Sequence, residues 1–145
     1  MRYFEDLEIG ETMRFGRYEV TREEILEYAR QFDPQPFHVD EEAARASLFG
    51  GLIASGWHTG AMMMRMVADH MTPTVATSGA MGFDDLKWLQ PVRPGDVLSV
   101  ESIVLEKVAP RRPDRGTVKM ENRVRNQRDE VVLSLVTLVI CRRRP

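Results

Sequence analysis

The chain of 145 residues has one cysteine, no long apolar run and almost no net charge. Because Cys141 cannot form a disulfide within the chain, a reducing compartment is favoured and we expect a cytoplasmic protein. No stretch reaches the ~18 apolar residues of a membrane-spanning helix, and residues 1–6 lack the apolar segment of a secretory signal. The net charge of −2 indicates neither a nucleic acid nor a membrane surface as a partner.

The length and the apolar fraction of 43% are those of one globular domain, which we expect to span residues 1–145. Thr21 and Glu24 have the spacing of a capping box, in which Thr21 caps a helix and the Glu24 side chain reaches back. A helix over residues 22–32 should follow. Its apolar face would carry Ile25, Leu26, Ala29 and Phe32.

Residues 57–71 predict a second, longer helix that is apolar nearly all round. Such a helix is buried on most faces, as when a sheet wraps around it. Its methionines favour core filling, with the lining of an acyl pocket as the alternative. His58 and His70 are interpreted as surface or helix-end histidines.

Most of the remaining chain has the patterns of β-strands. A first strand is predicted near residues 13–20, and four more are expected in antiparallel succession after Pro73. The continuous apolar character of the last one favours a central strand. This order of elements predicts the α+β class. The four later strands cover residues 80–90, 97–108, 117–126 and 131–141.

The most informative feature is the run Asp-Pro-Gln-Pro-Phe-His at residues 33–38. Each proline disfavours the α region for the residue before it, so Asp33 and Gln35 should be extended. Asp33 and His38 could then point to one side and share a water. Imidazole exchanges protons near neutral pH, and a carboxyl group with a raised pKa could make the complementary transfer. The alternative is a turn-capping aspartate beside a surface histidine.

Gly56 follows His38 by eighteen residues and opens the long apolar helix. Its backbone N–H could therefore face the same site from a helix N-terminus and stabilise a developing oxyanion. An acid/base pair together with an oxyanion donor is what the addition of water across an activated double bond requires.

This stretch resembles the signature of the MaoC-like, R-specific enoyl-CoA hydratase family, which is roughly Gly-Asp-x-Asn-Pro-x-His. Asp33, Pro36 and His38 match it, whereas Phe32 replaces the glycine and Gln35 replaces the asparagine. The resemblance also includes the segments 49–56 and 89–96. It extends over nearly the whole chain.

The resemblance implies a hot-dog fold, with one antiparallel sheet wrapped around one long central helix. It also implies a hydro-lyase that hydrates an enoyl-CoA or dehydrates a 3-hydroxyacyl-CoA. The substrate would be an acyl-CoA thioester, and the assembly a homodimer or a higher homo-oligomer. No metal or redox cofactor is expected, and coenzyme A enters only as part of the substrate. Asp33 and His38 would be catalytic, Gly56 would form the oxyanion hole, and Gln35 and Ser55 would orient the pair.

Two further sets of polar residues could bind a ligand. Asp33, His38 and Asp40 lie too close along the chain to leave room for a third imidazole, so we expect no metal site. A basic hairpin loop could meet the phosphates of coenzyme A, since guanidinium groups suit phosphate. The alternative for this loop is simple solvation. Its residues are Arg111, Arg112 and Arg115.

Two other functions remain open at this point. A hot-dog thioesterase would attack the carbonyl and usually places a carboxylate on the long helix near the site. The first carboxylate on that helix is Asp69, three turns in, which argues against a thioesterase. The second is a non-catalytic acyl-CoA-binding subunit, in which the changes at Phe32 and Gln35 would mark lost activity.

Overall fold

The computed structural model describes all residues, 1–145. Its five strands form one sheet in the order β1-β3-β4-β5-β2, in which every neighbouring pair is antiparallel. The α+β class predicted from the sequence is confirmed. The strands are β1 (Thr12–Glu19), β2 (Thr77–Trp88), β3 (Val97–Arg112), β4 (Arg115–Arg125) and β5 (Val131–Arg142).

Four helices lie between β1 and β2, and one short 3-10 turn precedes β1 at Phe4–Asp6. The helices are α1 (Arg22–Phe32), α2 (Pro36–Val39), α3 (Glu41–Ala46) and α4 (Gly56–His70). The bounds of α1 and α4 agree with the sequence patterns to within one residue. None of these helices combines the length and the apolar character needed to cross a membrane.

The core lies between the sheet and α4. Four side chains of α4 pack into the same apolar cluster as the inward-facing side chains of β3, β4 and β5. The alternation predicted for β4 is present, because Val118, Met120 and Val124 are fully buried. The four side chains of α4 are Met62, Met63, Met66 and Val67.

The expectation that α4 is buried on most faces is wrong for the single chain. Met64 is 53% exposed, and Arg65 pairs with Asp69 on the outer side at 2.8 Å. The opposite side of the helix packs against the sheet, as expected for the hot-dog arrangement. Core filling is thus the role of the buried methionines, as favoured from their chemistry.

Of the four later strands, β3, β4 and β5 follow one another in antiparallel succession as predicted, but β2 does not. β2 lies at an edge and pairs with β5, whereas β3 lies between β1 and β4. The segment 89–96 carries the chain from that edge back to the other half of the sheet. The interior position predicted for β5 is confirmed, and its Cys141 is fully buried.

α1 begins as predicted but differs in two details. The Thr21 hydroxyl accepts the Glu24 backbone N–H, but the Glu24 carboxylate accepts the Tyr18 hydroxyl instead of reaching back to the cap. Ile25 is buried, whereas Phe32 is 69% exposed, so its place on the apolar face is wrong. Phe32 is the last residue of the helix, where the chain turns away from the core.

Gly16 brings β1 into close contact with α4. Its φ of +84° lies in the left-handed region, and a Cβ there would come within 3.0 Å of Met66 side-chain atoms, including Cβ. Only glycine satisfies both the backbone conformation and this close approach.

We expect Gly16→Ala to reduce the free energy of unfolding more than Gly10→Ala does, by at least about 1 kcal/mol. Gly10 is the matched control because its φ is +86° and a Cβ there would meet nothing within 4 Å. The left-handed conformation costs an alanine roughly 1–2 kcal/mol at either position, but only position 16 adds overlap with Met66. Urea denaturation of both variants measures the difference, and equal losses would contradict it.

Candidate active site

The Asp-Pro-Gln-Pro-Phe-His run joins two helices. The Asp33 N–H donates to the Ala29 carbonyl and ends α1. Gln35 is extended, with φ −71° and ψ 145°, as the following proline requires. Pro36 then opens the one-turn helix α2, which carries His38. Asp33, with φ −153° and ψ 68°, lies outside the extended region predicted for it, so the prediction is confirmed only for Gln35. The chain becomes helical at Pro36 because proline is well suited to the first turn of a helix.

Asp33 and His38 face each other, as their spacing suggested. The His38 Nε2 lies 3.4 Å from Asp33 Oδ2. His38 is only 4% exposed, which excludes the alternative of a surface histidine. A carboxylate and an imidazole at this distance can exchange a proton directly or through one shared water.

The ring of His38 is fixed by a backbone carbonyl. Its Nδ1 lies 2.8 Å from the Ile53 oxygen, in a buried contact. Since a carbonyl oxygen only accepts, Nδ1 must carry a hydrogen and donate it. The proton that can come and go is therefore the one on Nε2, the nitrogen that faces Asp33.

The Asp33 carboxylate accepts two further hydrogen bonds. The Ser55 hydroxyl donates to Oδ2 at 2.7 Å, and the Gln35 amide donates to Oδ1 at 2.7 Å. Partial burial alone would raise the pKa of Asp33. The two hydrogen bonds and the nearby His38 outweigh burial and hold the pKa below its ordinary value. The raised pKa considered for this carboxyl group from the sequence is therefore not found.

The N-terminus of α4 lies beside this pair without a side-chain cap. Ser55 is the N-cap residue, yet its hydroxyl binds Asp33 instead of the helix. No hydrogen bond satisfies the backbone N–H of Gly56, and Thr59 makes the first helical bond, to the Ser55 carbonyl. The positive end of the helix dipole and free N–H groups are thus available to an oxygen atom.

The indole of Trp88 lies against Gly56. A Cβ at position 56 would come within 3.0 Å of three atoms of the Trp88 ring. Glycine is therefore required here by packing, at a backbone conformation that other residues also adopt. Trp57 meets Trp88 edge to face, with ring centroids 5.3 Å apart.

These groups line one pocket of about 470 Å³. Asp33, Gln35, His38 and Gly56 all contribute to its wall, and Ser55 lies fully buried behind Asp33. No methionine lines it. The apolar part of the wall is aromatic and aliphatic, formed by Phe37, Phe49, Ile53, Ala54, Trp57, Trp88, Leu89, Pro91 and Val92.

His58 is buried, which corrects its interpretation as a surface or helix-end histidine. It is 2% exposed because the Tyr28 ring stacks on it at 4.5 Å, and its Nε2 lies 3.4 Å from Glu24 Oε1. Burial lowers the pKa of His58 even though Glu24 acts in the opposite direction. His70, by contrast, is exposed at the end of α4.

The predicted coenzyme A arginines lie apart from the site within one chain. They line a separate groove of about 480 Å³ at the β3–β4 hairpin, and this groove shares no lining residue with the site pocket. They are Arg111, Arg112 and Arg115.

No group of three or more His, Cys, Asp or Glu side chains is placed to hold a metal ion together. Asp40, the third member of the set weighed from the sequence, caps α3 by accepting the N–H groups of Glu42 and Ala43.

Two residues of the site have no recognisable signal in the sequence. Ile53 orients His38 through its backbone carbonyl, a group that every residue type has. Trp88 ends an edge strand and reaches Gly56 across the fold. Both residues come close to Asp33 and His38 only through the tertiary structure.

Comparisons with known proteins identify the family of the chain. Residues 5–126 match the family described as MaoC like domain. The crystal structure of a MaoC-like dehydratase from Rhodospirillum rubrum superposes with a TM-score of 0.87 at 44% identity, and the match covers 99% of this chain and 98% of that one.

Two curated relatives are named for their reactions. A 3-hydroxybutyryl-CoA dehydratase from Methylorubrum extorquens is 30% identical over 78% of this chain and 70% of its own length. A mesaconyl-CoA hydratase from Cereibacter sphaeroides is 31% identical over 99% of this chain, which spans only 42% of that protein.

We expect Ser55→Ala to raise the pKa of Asp33, because it removes a hydrogen bond that favours the ionised form. Carbon-13 NMR titration of the Asp33 carboxyl group measures this directly. Ser47→Ala is the control, since the Ser47 hydroxyl contacts only backbone groups of Ala44 and Phe49. An unchanged titration in Ser55→Ala would show that this hydrogen bond does not set the charge of Asp33.

Proposed function

The chain belongs to the MaoC-like dehydratase family, and we propose that it adds water to, or removes water from, the 2,3-position of an acyl-CoA thioester. One observation carries this proposal above the others. An Asp33 carboxylate with a lowered pKa faces His38 Nε2 at 3.4 Å, in a pocket that also contains the free end of α4. The proposed base, acid and oxyanion donor therefore all line the same pocket.

In the hydration direction, Asp33 acts as the base. The lowered pKa favours its ionised form, and a carboxylate in that form can accept a proton from water. The water oxygen bonds to Cβ of the enoyl group as Asp33 takes that proton. His38, in its protonated form, delivers the Nε2 proton to Cα. The proton then returns from Asp33 to His38 across their contact, and dehydration follows the reverse path.

The Gly56 N–H stabilises the charge that develops on the thioester oxygen. When oxygen adds to Cβ, the electrons of the double bond move toward Cα and the carbonyl, giving an enolate-like species. A free N–H at a helix N-terminus favours that negative charge. The pocket wall of aromatic and aliphatic side chains suits the acyl chain.

The thioesterase alternative finds little support in the position of the carboxylates. Asp69, the first carboxylate on α4, lies in its last turns and pairs with Arg65 on the outer surface. Asp33 is the only carboxylate in the pocket.

The non-catalytic alternative rests on the two departures from the family pattern, and neither disturbs the pair. Gln35 still donates its amide to Asp33 at 2.7 Å. The Phe32 side chain is exposed and does not line the pocket. The catalytic geometry is therefore intact despite both replacements.

The substrate would be a coenzyme A thioester, as the names of both curated relatives indicate for those proteins. Within the proposal, the three hairpin arginines remain candidates for its phosphates. Because their groove is separate from the site pocket in one chain, they could serve this site only from a neighbouring copy. The single buried cysteine is compatible with action in the cytoplasm.

A homodimer would supply that copy, and β2 is the edge through which we expect it to form. Met81 and Phe83 are exposed along this strand, and such an edge favours pairing with another chain. Trp88 ends β2, so the site would lie close to the dimer contact.

We expect Asp33→Asn and His38→Ala each to lower hydration of an enoyl-CoA by roughly 10²-fold or more, the usual scale of acid–base catalysis. Loss of absorbance of the enoyl thioester measures turnover, while release of free thiol is followed in parallel. Asp69→Asn and His70→Ala are matched controls on the outer side of α4 and should keep full activity.

Full turnover by both site variants would show that the catalytic pair is assigned wrongly. Thiol release without hydration in the unmodified chain would favour a thioesterase. Binding of the thioester with neither reaction would favour the accessory subunit.

We also expect EDTA to leave hydration unchanged, since the proposed proton transfers use Asp33 and His38 alone. Turnover would be measured before and after prolonged dialysis against the chelator. Loss of activity that added zinc or another divalent ion restores would contradict this part of the proposal.

A further inference from the structure

Trp88 offers a second hydrogen-bond donor beside Gly56. Its indole Nε1 would lie 2.5 Å from a Cβ placed on Gly56. A Cβ lies roughly 2.5 Å from its own backbone nitrogen, given bond lengths near 1.5 Å and near-tetrahedral angles. The Trp88 and Gly56 nitrogens are therefore at most about 5 Å apart.

Two donors at this separation can share one oxygen. Each N–H···O bond spans about 2.9–3.0 Å between heavy atoms, so donors up to roughly 6 Å apart can meet at a single acceptor. Both N–H groups are free for this task. The structure shows no hydrogen bond from the Trp88 indole and none from the Gly56 backbone N–H.

We propose that the Trp88 indole N–H and the Gly56 backbone N–H together bind the thioester carbonyl oxygen. This inference rests on the proposed function, because it assigns a further catalytic group for the same substrate. Trp88 lines the same pocket as Asp33 and His38, and its contact with Gly56 holds the indole at the N-terminus of α4. The oxyanion hole thus has one donor from a helix and one from the edge strand.

The test uses the two tryptophans of the chain as probe and internal control. The nitrogen-15 NMR spectrum should contain two indole N–H signals, which Trp57→Phe and Trp88→Phe assign by deletion. Butyryl-CoA, a saturated thioester that cannot be hydrated, is then compared with S-butyl-CoA, a thioether of the same length that lacks the carbonyl.

We expect butyryl-CoA to move the Trp88 indole proton downfield and S-butyl-CoA to leave it nearly in place, although calorimetry shows that both bind. The Trp57 signal should respond alike to the two ligands. In kinetics, Trp88→Phe keeps an aromatic ring against Gly56 but removes the donor. It should lower kcat for enoyl-CoA by at least about 10-fold with a smaller change in KM.

Equal movement of the Trp88 signal with both bound ligands would overturn the inference and leave the proposed function standing. A carbonyl-dependent shift at Trp57 would also overturn it. If neither ligand binds and the unmodified chain does not hydrate enoyl-CoA, the proposed function itself fails. Full kcat in a folded Trp88→Phe, together with normal binding, would exclude the indole as a donor.

Discussion

The hydrogen bond from the Ser55 hydroxyl to the Asp33 carboxylate joins the end of α1 to the start of α4. It fixes the carboxylate in front of His38 and helps to keep it ionised. The same bond takes the serine hydroxyl away from its usual role at a helix start, where it would cap the first turn. One contact therefore both orients the proposed base and leaves the first turn of α4 without a side-chain cap.

Local signals in the sequence were sufficient for the elements that carry the site. The N-cap at Thr21 and the proline at 36 each fix the backbone by short-range hydrogen bonding or sterics, and the structure has them as predicted. The long helix begins at Gly56, within one residue of its predicted start. The family pattern then singled out Asp33 and His38 as a pair. Their contact follows from spacing within one short segment.

Features that depend on distant parts of the chain were not predictable in this way. The position of β2 is set by its pairing with β5, more than forty residues later, and strand patterns contain no information about their neighbours. His58 was predicted to be a surface or helix-end histidine because the sequence of α4 does not show what packs against that helix. Tyr28 of α1 covers it, and that contact exists only after α1 and α4 have packed together. The contact between Trp88 and Gly56 likewise exists only after β2 and α4 have packed together.

The residues of the site lie in separate segments of the chain. Asp33 ends α1, His38 lies in the short helix α2, Gly56 begins α4 and Trp88 ends the edge strand β2. No single segment contains all of these residues. During refolding, the secondary structure of α1 and α4 can form before they dock, but the Ser55 hydroxyl and the Asp33 carboxylate meet only when they have docked. The return of catalytic turnover would therefore report the docking of α1 and α4. It should occur later than the return of the helical circular dichroism signal.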